Sequence, residues 1–465
     1  MIRTRIAPSP TGTDMHIGTV YTALINWAYA KKNNGAFIIR IEDTDRTRFV
    51  QGAEENFLNT LRTFGLEYAE GPDKPGKYGP YRQSERLALY AQYAQELVQK
   101  KQAYYCICTK ERLEQVHAIQ RASKQVTKYD RYCLDHQDEV VQKVASGTAS
   151  VIRLKVPNDR NITFHDIIHG DITINTNTLD DQVLLKSDGF PTYHLAVVVD
   201  DHLMDITHII RGEEWISSTP KHILLYEAFG FTIPAFAHVP LLRNPDHSKL
   251  SKRKNPVWAS WFIKQGYLPD AVINYLSLMG WSHPTQKEIF SREEFVSVFD
   301  LKDMQSVGPA FDLTKLAWMN GMYIRQMDSD QLAQKITDFI GPSYEHDRVV
   351  RSVPLIRERI KTLSDYLQLC SFLFKQPKKY VIDFQKYQPA LKAVKSALEK
   401  IDIFSAEKIG ESMQNTAREI GLKNSEFFMM LRVAISGEKI SPPLNDSMAL
   451  LGKAECVARI ALLIS

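Results

Sequence analysis

Two short segments of this 465-residue chain carry residue types suited to holding a nucleotide. The first is His16-Ile-Gly18-Thr19, just after the loop Pro8-Ser9-Pro10-Thr11-Gly12. Apolar residues recur at helical spacing from Ile17 through Val20, Ala23, Leu24, Trp27 and Ala28, so a helix starts here. Its N-terminus offers backbone N–H groups and a partial positive charge to an anion. Gly18 leaves room for an adenine or ribose against the helix start, and His16 can donate to a phosphate and, unlike lysine, shed its charge. A helix-capping or packing role explains the same pattern equally well. The second segment is Lys249-Leu-Ser251-Lys252-Arg253-Lys254. A serine between two lysines suits wrapping a polyphosphate and stabilising the charge of a displaced pyrophosphate. Lys252, a flexible point charge, fits a closing loop better than a rigid arginine fork would. A solvated basic turn is the plainer reading of these cations.

A third cluster has a different chemistry. Cys106-Ile-Cys108 and Cys133-Leu-Asp135-His136 place three thiols near a carboxylate and an imidazole. That is a donor set for tetrahedral zinc, with Asp135 or His136 as fourth ligand; three reduced cysteines in a metal-free insertion are the alternative. Five cysteines, an odd count, point to a reducing compartment and not to a disulfide framework.

The elements that must position these residues alternate at first. Arg3–Ala7 reads as a strand, and Ala36–Ile41, after Asn34-Gly35, as a second. Strand, helix, strand implies a parallel βαβ unit. From about 105 to 190 that rhythm is lost, with strand candidates at Val151–Val156 and Asp171–Asn175, which reads as an α+β insertion. A second βα pattern follows, with Tyr193–Val199 and His208–Arg211 as strands and Thr219–Phe229 as a helix. Beyond about 257 the periodicity predicts helices over Ala271–Met279, Arg292–Val298, Leu313–Met319, Leu332–Phe339, Leu355–Leu369, Ala390–Lys400 and Glu426–Ile435. The expected fold is α/β: a Rossmann-type parallel-sheet domain split by an α+β insertion, then an all-α C-terminal half.

Composition, 44% hydrophobic and 24% charged, excludes collagen-like, largely disordered and disulfide-framework classes. No run approaches the length of a membrane span. Met1 leads directly into Arg3-Thr-Arg5 without an apolar signal segment, so a cytoplasmic protein is expected. The formal net charge is only +4, yet residues 351–400 hold 11 Lys and Arg against 4 Asp and Glu. A basic region in an otherwise slightly acidic chain is what binding a phosphate backbone requires, and a solvated helical face produces it too.

Together the first two segments resemble the HIGH and KMSKS motifs of class I aminoacyl-tRNA synthetases. Further stretches resemble the bacterial glutamyl-tRNA synthetase family: Arg5-Ile-Ala-Pro-Ser9-Pro-Thr-Gly12, Arg40-Ile-Glu42-Asp-Thr-Asp45-Arg46, Gly79-Pro-Tyr81-Arg82-Gln-Ser84-Glu-Arg86, Lys186-Ser-Asp-Gly-Phe-Pro191-Thr-Tyr193-His194, Val199-Asp-Asp201-His and Arg211-Gly-Glu-Glu214-Trp. The resemblance continues through Asp312-Leu-Thr-Lys315-Leu-Ala-Trp318-Met-Asn320-Gly to Leu431-Arg432-Val-Ala434-Ile-Ser-Gly437, so it covers essentially the whole chain. One departure is Thr19 where the generic motif has a second histidine, a variation the family tolerates.

The resemblance implies an ATP- and Mg²⁺-dependent ligase that joins L-glutamate to tRNA(Glu) through glutamyl-adenylate, with a version that also charges tRNA(Gln) as the alternative. It implies His16, Lys249 and Lys252 as catalytic groups. ATP would be held by Ser9, His16, Gly18, Thr19, Lys249, Ser251, Lys252 and Arg253. Glutamate would be held by Arg5, Ala7, Ser9, Glu42, Tyr193 and Arg211. Arginine matches a carboxylate with a bidentate fork, and Arg5 and Arg211 fall at the C-terminal ends of predicted parallel strands, where doubly wound sheets bind ligands. For Glu42 to Asp45, an acidic helix start is the competing reading. Arg359 and Arg432 are the anticodon-reading candidates. The family variably carries zinc at Cys106, Cys108, Cys133 and the Asp135 or His136 position. The expected domains are 1–105 and 191–256 for the two catalytic halves, 106–190 for the acceptor-end insertion, 257–325 for a stem-contact domain and 326–465 for an anticodon domain, in a monomer. A small-molecule adenylyltransferase would not need the basic helical half, and a pure RNA-binding module would not need Glu42 with the lysine loop.

Overall fold

In a computed structural model, residues 1–248, 250 and 256–464 are described. Lys249, Ser251, Lys252 and Arg253, and with them the polyphosphate-loop expectation, lie outside the described residues. The chain forms two compact units, Met1–Trp261 with Ile273–Asp312, and Phe262–Val272 with Leu313–Ser465.

The first unit opens with β1 (Arg3–Ile6), α1 (Ile17–Lys32) and β2 (Ala36–Ile39), and β1 pairs parallel to β2 from Arg3 opposite Ala36 to Ile6 opposite Ile39. Gly35, just before β2, lets the chain pass close to β1, since a Cβ there would come within 2.2 Å of the Ile2 carbonyl oxygen. After α2 (Ala53–Thr63) and α3 (Leu87–Gln99), β3 (Ala103–Cys106) begins the insertion expected from the broken rhythm. It contains α4 (Lys110–Ala122), α5 (Tyr132–Asp135), α6 (Gln137–Ala145) and four strands, β4 (Val151–Leu154), β5 (Asn161–Asp166), β6 (Gly170–Asn175) and β7 (Val183–Leu185). Strands β3, β4 and β7 form an antiparallel sheet.

Then come α7 (Tyr193–Leu203), β8 (His208–Gly212), α8 (Thr219–Phe229) and β9 (Ala235–Val239), with β8 parallel to β9. β5 also joins β9, so the second sheet runs β6-β5-β9-β8. β1 lies beside β8, where the Thr207 amide donates to the Arg3 carbonyl at 3.1 Å. From α1, Asn26 Nδ2 reaches the Ile210 carbonyl at 3.0 Å, tying helix to strand. The ends of β1 and β8 therefore open onto the same side as the start of α1.

Two expected elements differ. Tyr193–Val199 is not a strand but the first two turns of α7. His194 to Asp201 are all buried, so the segment shows no polar stripe, and a continuous apolar run does not distinguish a buried helix from a strand. Leu355–Leu369 is not one helix. It is the end of one helix, a turn over 357–359, and a short helix Asp365–Cys370.

In the second unit the helices α9 (Ala259–Lys264) and α10 (Pro269–Ser277) enter from the first, whose own last helix is α11 (Arg292–Val298). There follow α12 (Leu313–Gln326), α13 (Ser329–Ile340), α14 (His346–Ile356), α15 (Asp365–Cys370), α16 (Gln388–Glu399), α17 (Ala406–Glu419), α18 (Asn424–Ser436), α19 (Leu444–Leu451) and α20 (Lys453–Ala461). One apolar core runs from Leu268 and Ala271 through Val353, Val394 and Leu431 to Ile460. Among the described residues, no helix is long and apolar enough to cross a membrane.

Candidate active site

At the C-terminal ends of β1 and β8 lies a cleft of about 350 Å³. Arg5, Ala7, Glu42, Tyr193 and Arg211 line it together with His16, Gly18 and Thr19. A second lobe of about 430 Å³ shares Ala7, His16 and Thr19 and adds Ser9 and Trp258. All the described candidates for the nucleotide and the amino acid thus meet at one place.

His16 is the N-cap of α1, and its Nδ1 accepts the Gly18 amide at 3.0 Å. The capping alternative is therefore realised. It carries chemistry too: an accepting Nδ1 places the donor of the ring on Nε2. Gly18 fits because a Cβ would stand 3.1 Å from that Nδ1. The residues after the lysine loop return to this point. The Ile17 amide donates to the Val257 carbonyl at 2.7 Å, the Ala259 amide to Met15 at 2.8 Å, and Leu250 lines the cleft.

The loop carrying Ser9 is held by its backbone, with the Glu42 amide on the Pro8 carbonyl and the Val50 amide on that of Pro10, both at 2.9 Å. Of the acidic run, only Glu42 lines the cleft. Asp43 accepts the Ser84 amide at 2.8 Å, and Asp45 pairs with Arg48 and Thr47. These two acids have structural partners, though neither caps a helix: Asp43 ties a distant segment, and Asp45, the N-cap position of a short turn, makes no capping bond.

Under the cleft floor lies a buried ion network. Asp201 accepts from Arg5 Nε (3.0 Å) and Nη2 (3.1 Å) and from Arg40 Nη1 (2.7 Å). Arg40 also donates to Glu42 at 3.1 Å, while Asp200 accepts from Gln83, Arg86 and Tyr90. Burial alone would raise the Asp201 carboxyl; Arg5 and Arg40 outweigh it and hold it below the ordinary range. At Glu42 burial prevails over Arg40 and Arg5 and pushes the carboxyl up. Arg5 spends Nε and Nη2 on Asp201, whereas Arg211 bonds Tyr193, Thr219, His222 and His238 and, among the described residues, no carboxylate. Thr219 and His222 share one face of α8 while His238 comes from β9, and the three belong to no contiguous motif, so sequence reading missed them.

The three thiols converge as expected. Cys106, Cys108 and Cys133 have sulfurs within 4.8 Å of one another. The expected fourth ligands do not join them: Asp135 and His136 are both exposed and outside the group, and His136 stacks on Tyr132. Their place is taken by Tyr129, whose hydroxyl lies 3.5 Å from Cys106 Sγ and 3.3 Å from Cys108 Sγ and accepts the Cys133 amide at 2.9 Å. The short helix α5 buries Cys133 and ends at Asp135, with His136 as its C-cap. The Cys106 thiol is pulled down by its hydrogen bond with Cys133 first and, after burial opposes it, by Tyr129 and Arg153.

In the second unit the two arginine candidates, far apart in sequence, meet. Arg359 and Arg432 both donate to the Ser441 carbonyl at 3.3 Å, and Arg432 also reaches the Pro442 carbonyl at 3.0 Å. Burial lowers the Arg432 guanidinium, and the neighbouring charge of Arg359 adds to it.

Comparison with known proteins covers both units. The family model described as class I tRNA synthetases (E and Q), catalytic domain, matches residues 1–318, and an anticodon binding domain model matches 331–464. The glutamate–tRNA ligase of Acidothermus cellulolyticus is 45% identical, spanning 99% of this chain and 94% of that protein. That of Dehalococcoides mccartyi is 43% identical over 100% of this chain and 97% of its own length. A crystal structure of a glutamate tRNA ligase from Elizabethkingia meningosepticum in complex with its amino acid superposes with a TM-score of 0.88 at 36% identity, covering 100% of this chain and 99% of that one.

Proposed function

The chain belongs to the glutamate–tRNA ligase family of class I tRNA synthetases, and from that membership we propose that the cleft at the ends of β1 and β8 is where glutamate is activated. The enzyme attaches L-glutamate to tRNA at the expense of ATP. An oxygen of the α-carboxylate attacks the α-phosphorus of ATP, the bond to the β-phosphate breaks, and pyrophosphate leaves. The terminal ribose hydroxyl of tRNA then attacks the carbonyl of the mixed anhydride, and AMP leaves. Neither step needs a covalent enzyme intermediate; positioning and charge stabilisation carry both.

The observation behind this reading is the meeting of two sets of groups in one cleft. Arg5, Arg211, Tyr193 and Glu42 form an end suited to an amino acid with two carboxylates and an ammonium. Glu42 would take the ammonium; Arg5 and Arg211 offer donors to carboxylate, with Ala7 and Ser9 along the loop. At the other end His16 offers Nε2–H to a phosphate, and Gly18 and Thr19 present the start of α1 to the nucleotide. Lys249, Ser251, Lys252 and Arg253 are assigned by motif to the phosphates, and class I synthetases use ATP with Mg²⁺.

For the insertion we propose one structural zinc held by Cys106, Cys108, Cys133 and the Tyr129 oxygen. Three close thiols are the soft donors zinc selects, and the hydrogen bond between Cys106 and Cys133 pulls the first thiol down while it pushes the second up. No chemical step passes through it. Metal analysis of protein purified without chelator should find about one zinc per chain, and a content far below that overturns the assignment. Residues 106–190 would receive the acceptor end, 257–325 the stem and 326–465 the anticodon, with Arg359 and Arg432 as its readers. The acting form would be a monomer in the cytoplasm, the compartment being supported by five free cysteines.

The deciding experiment is ATP–pyrophosphate exchange with glutamate, with and without tRNA. Exchange that appears only with tRNA is expected; none under any condition overturns the reading. Charging of purified tRNA(Glu) and tRNA(Gln) then separates the discriminating enzyme from the non-discriminating alternative.

A further inference from the structure

Arg211 is 5% exposed, yet among the described residues it forms no ion pair with a carboxylate. Its partners are neutral acceptors. Nε donates to His238 Nε2 at 3.1 Å, Nη1 to His222 Nδ1 at 3.2 Å and to the Tyr193 hydroxyl at 3.3 Å, and Nη2 to Thr219 Oγ1 at 2.8 Å. A buried guanidinium with no counter-charge is costly and strongly favours gaining one. Arg5, by contrast, is already neutralised by the two-pronged contact with Asp201.

The proton positions follow from arginine having no acceptor. The ring nitrogens that face Arg211 must both be unprotonated. His238 then carries its proton on Nδ1, which donates to Asp166 Oδ2 at 2.6 Å. His222 carries its proton on Nε2 and donates to His194 Nδ1 at 3.0 Å. Asp166 is fixed in turn by the amides of Ile168, His169 and His238, each at 3.0 Å. Burial pushes the imidazoles of His194, His222 and His238 down, which keeps all three neutral. His238 therefore stands as a spacer: Asp166 orients the ring from one side, the ring orients Arg211 from the other, and the acid itself never reaches the guanidinium.

We infer that His222 and His238 are positioning residues for glutamate specificity, holding the Arg211 guanidinium by neutral nitrogens so that the side-chain carboxylate of the substrate becomes its counter-ion. This rests on the reading of the cleft given above. Four N–H groups of Arg211 are spent on fixing its plane, and one on Nη2 remains. Glutamine has nearly the same shape but brings no charge, so it leaves Arg211 buried and uncompensated. Discrimination then comes from a penalty that only the correct substrate removes.

The test compares three changes at His222 in tRNA-dependent exchange, with glutamine measured as a competitive inhibitor. His222→Gln, which keeps a neutral acceptor, should leave the glutamate KM within about threefold of the parent. His222→Glu, which supplies a counter-charge, should raise it by at least about tenfold, leave the ATP KM unmoved and narrow the preference for glutamate over glutamine by a similar factor. His222→Leu, folded but without an acceptor, should raise the glutamate KM alone and serves if the glutamate variant does not fold. An unchanged KM in both the Glu and Leu variants, equal rises for glutamate and ATP, or damage by Gln as large as by Glu would overturn the inference. Arg211→Gln separates the two levels of the argument. If it leaves the glutamate KM unchanged, the reading of the cleft fails; if it raises the KM while the His222 variants do not, only the positioning role fails.

Discussion

Asp201 accepts three hydrogen bonds from two arginines and is fully buried with them, so it sets the geometry of the cleft floor from beneath. Replacing it by Asn keeps the shape but leaves two guanidinium groups short of charge. Asp201→Asn should cost about 3–5 kcal/mol, the usual penalty for breaking a buried pair from one side, measured by denaturant unfolding; a loss under about 1 kcal/mol would mean the network contributes little. The histidines behind Arg211 make a second, pH-linked contribution. Burial first, then Lys221 and Arg211, lower His194 from 6.5 to about 4. A base depressed in the folded state binds its proton more readily when unfolded. Its stabilisation is therefore complete above about pH 6.5 and is lost as pH falls toward 4. At pH 5 the loss is on the order of 2 kcal/mol, and His194→Gln should make the fall in melting temperature between pH 7.5 and 5 visibly shallower than in the parent. Parallel slopes would show that His194 is not among the groups responsible.

At the scale of elements, the sequence was most readable where one local signal governed. The helix Thr219–Phe229 appears with the bounds that its spacing predicts, and the loop-to-helix junction at His16 falls within one residue. Motifs contiguous in sequence, such as His16 with Gly18, or repeated at strand ends, such as Arg5 and Arg211, yielded residues that line one cleft. Reading failed where packing from several directions erased the pattern, as in α7, whose middle is buried all round because its two aspartates also point into an arginine-filled interior. It failed again at the acceptors around Arg211, which α7, α8 and β9 bring together only in the folded chain. The region 355–369 shows a third cause. The Asp365 carboxylate accepts the amides of Lys361 at 2.8 Å and Thr362 at 2.9 Å, turning the chain where apolar spacing suggested an unbroken helix. Arg359 consequently sits on a turn, within reach of Ser441, and not on a helix face. Asp365→Ala should loosen that turn at a cost of about 1–2 kcal/mol and weaken tRNA binding several-fold while leaving glutamate KM alone. Unchanged tRNA affinity would separate the turn from recognition.

For the whole molecule, the division into units does not follow the order of the chain. Residues 262–272 leave the first unit, contribute to the second, and return. Leu268 and Ala271 join the second unit's core, and the Leu268 amide donates to Asn320 Oδ1 at 2.7 Å, whose Nδ2 donates to the Lys361 carbonyl at 2.5 Å. Gly266 closes this connection. Its carbonyl accepts the Leu363 amide at 3.0 Å, its φ is +76°, and a Cβ would lie 2.7 Å from the backbone nitrogens of Leu363 and Ser364. Backbone cannot yield as a flexible side chain would, and an L-residue is strained at that φ in any case. Gly266→Ala should therefore cost roughly 2–5 kcal/mol, and the loss should fall on the second unit. Hydrogen exchange should quicken across α13 to α15 and leave β1, α1 and β8 as protected as before, with tRNA affinity reduced and the glutamate KM retained. Faster exchange in both units to the same degree would mean that they unfold as one, and that the crossing segment couples them. Exchange confined to the second unit would mean that the amino-acid cleft keeps its order when the helical half loosens, as expected if each unit is held by its own core.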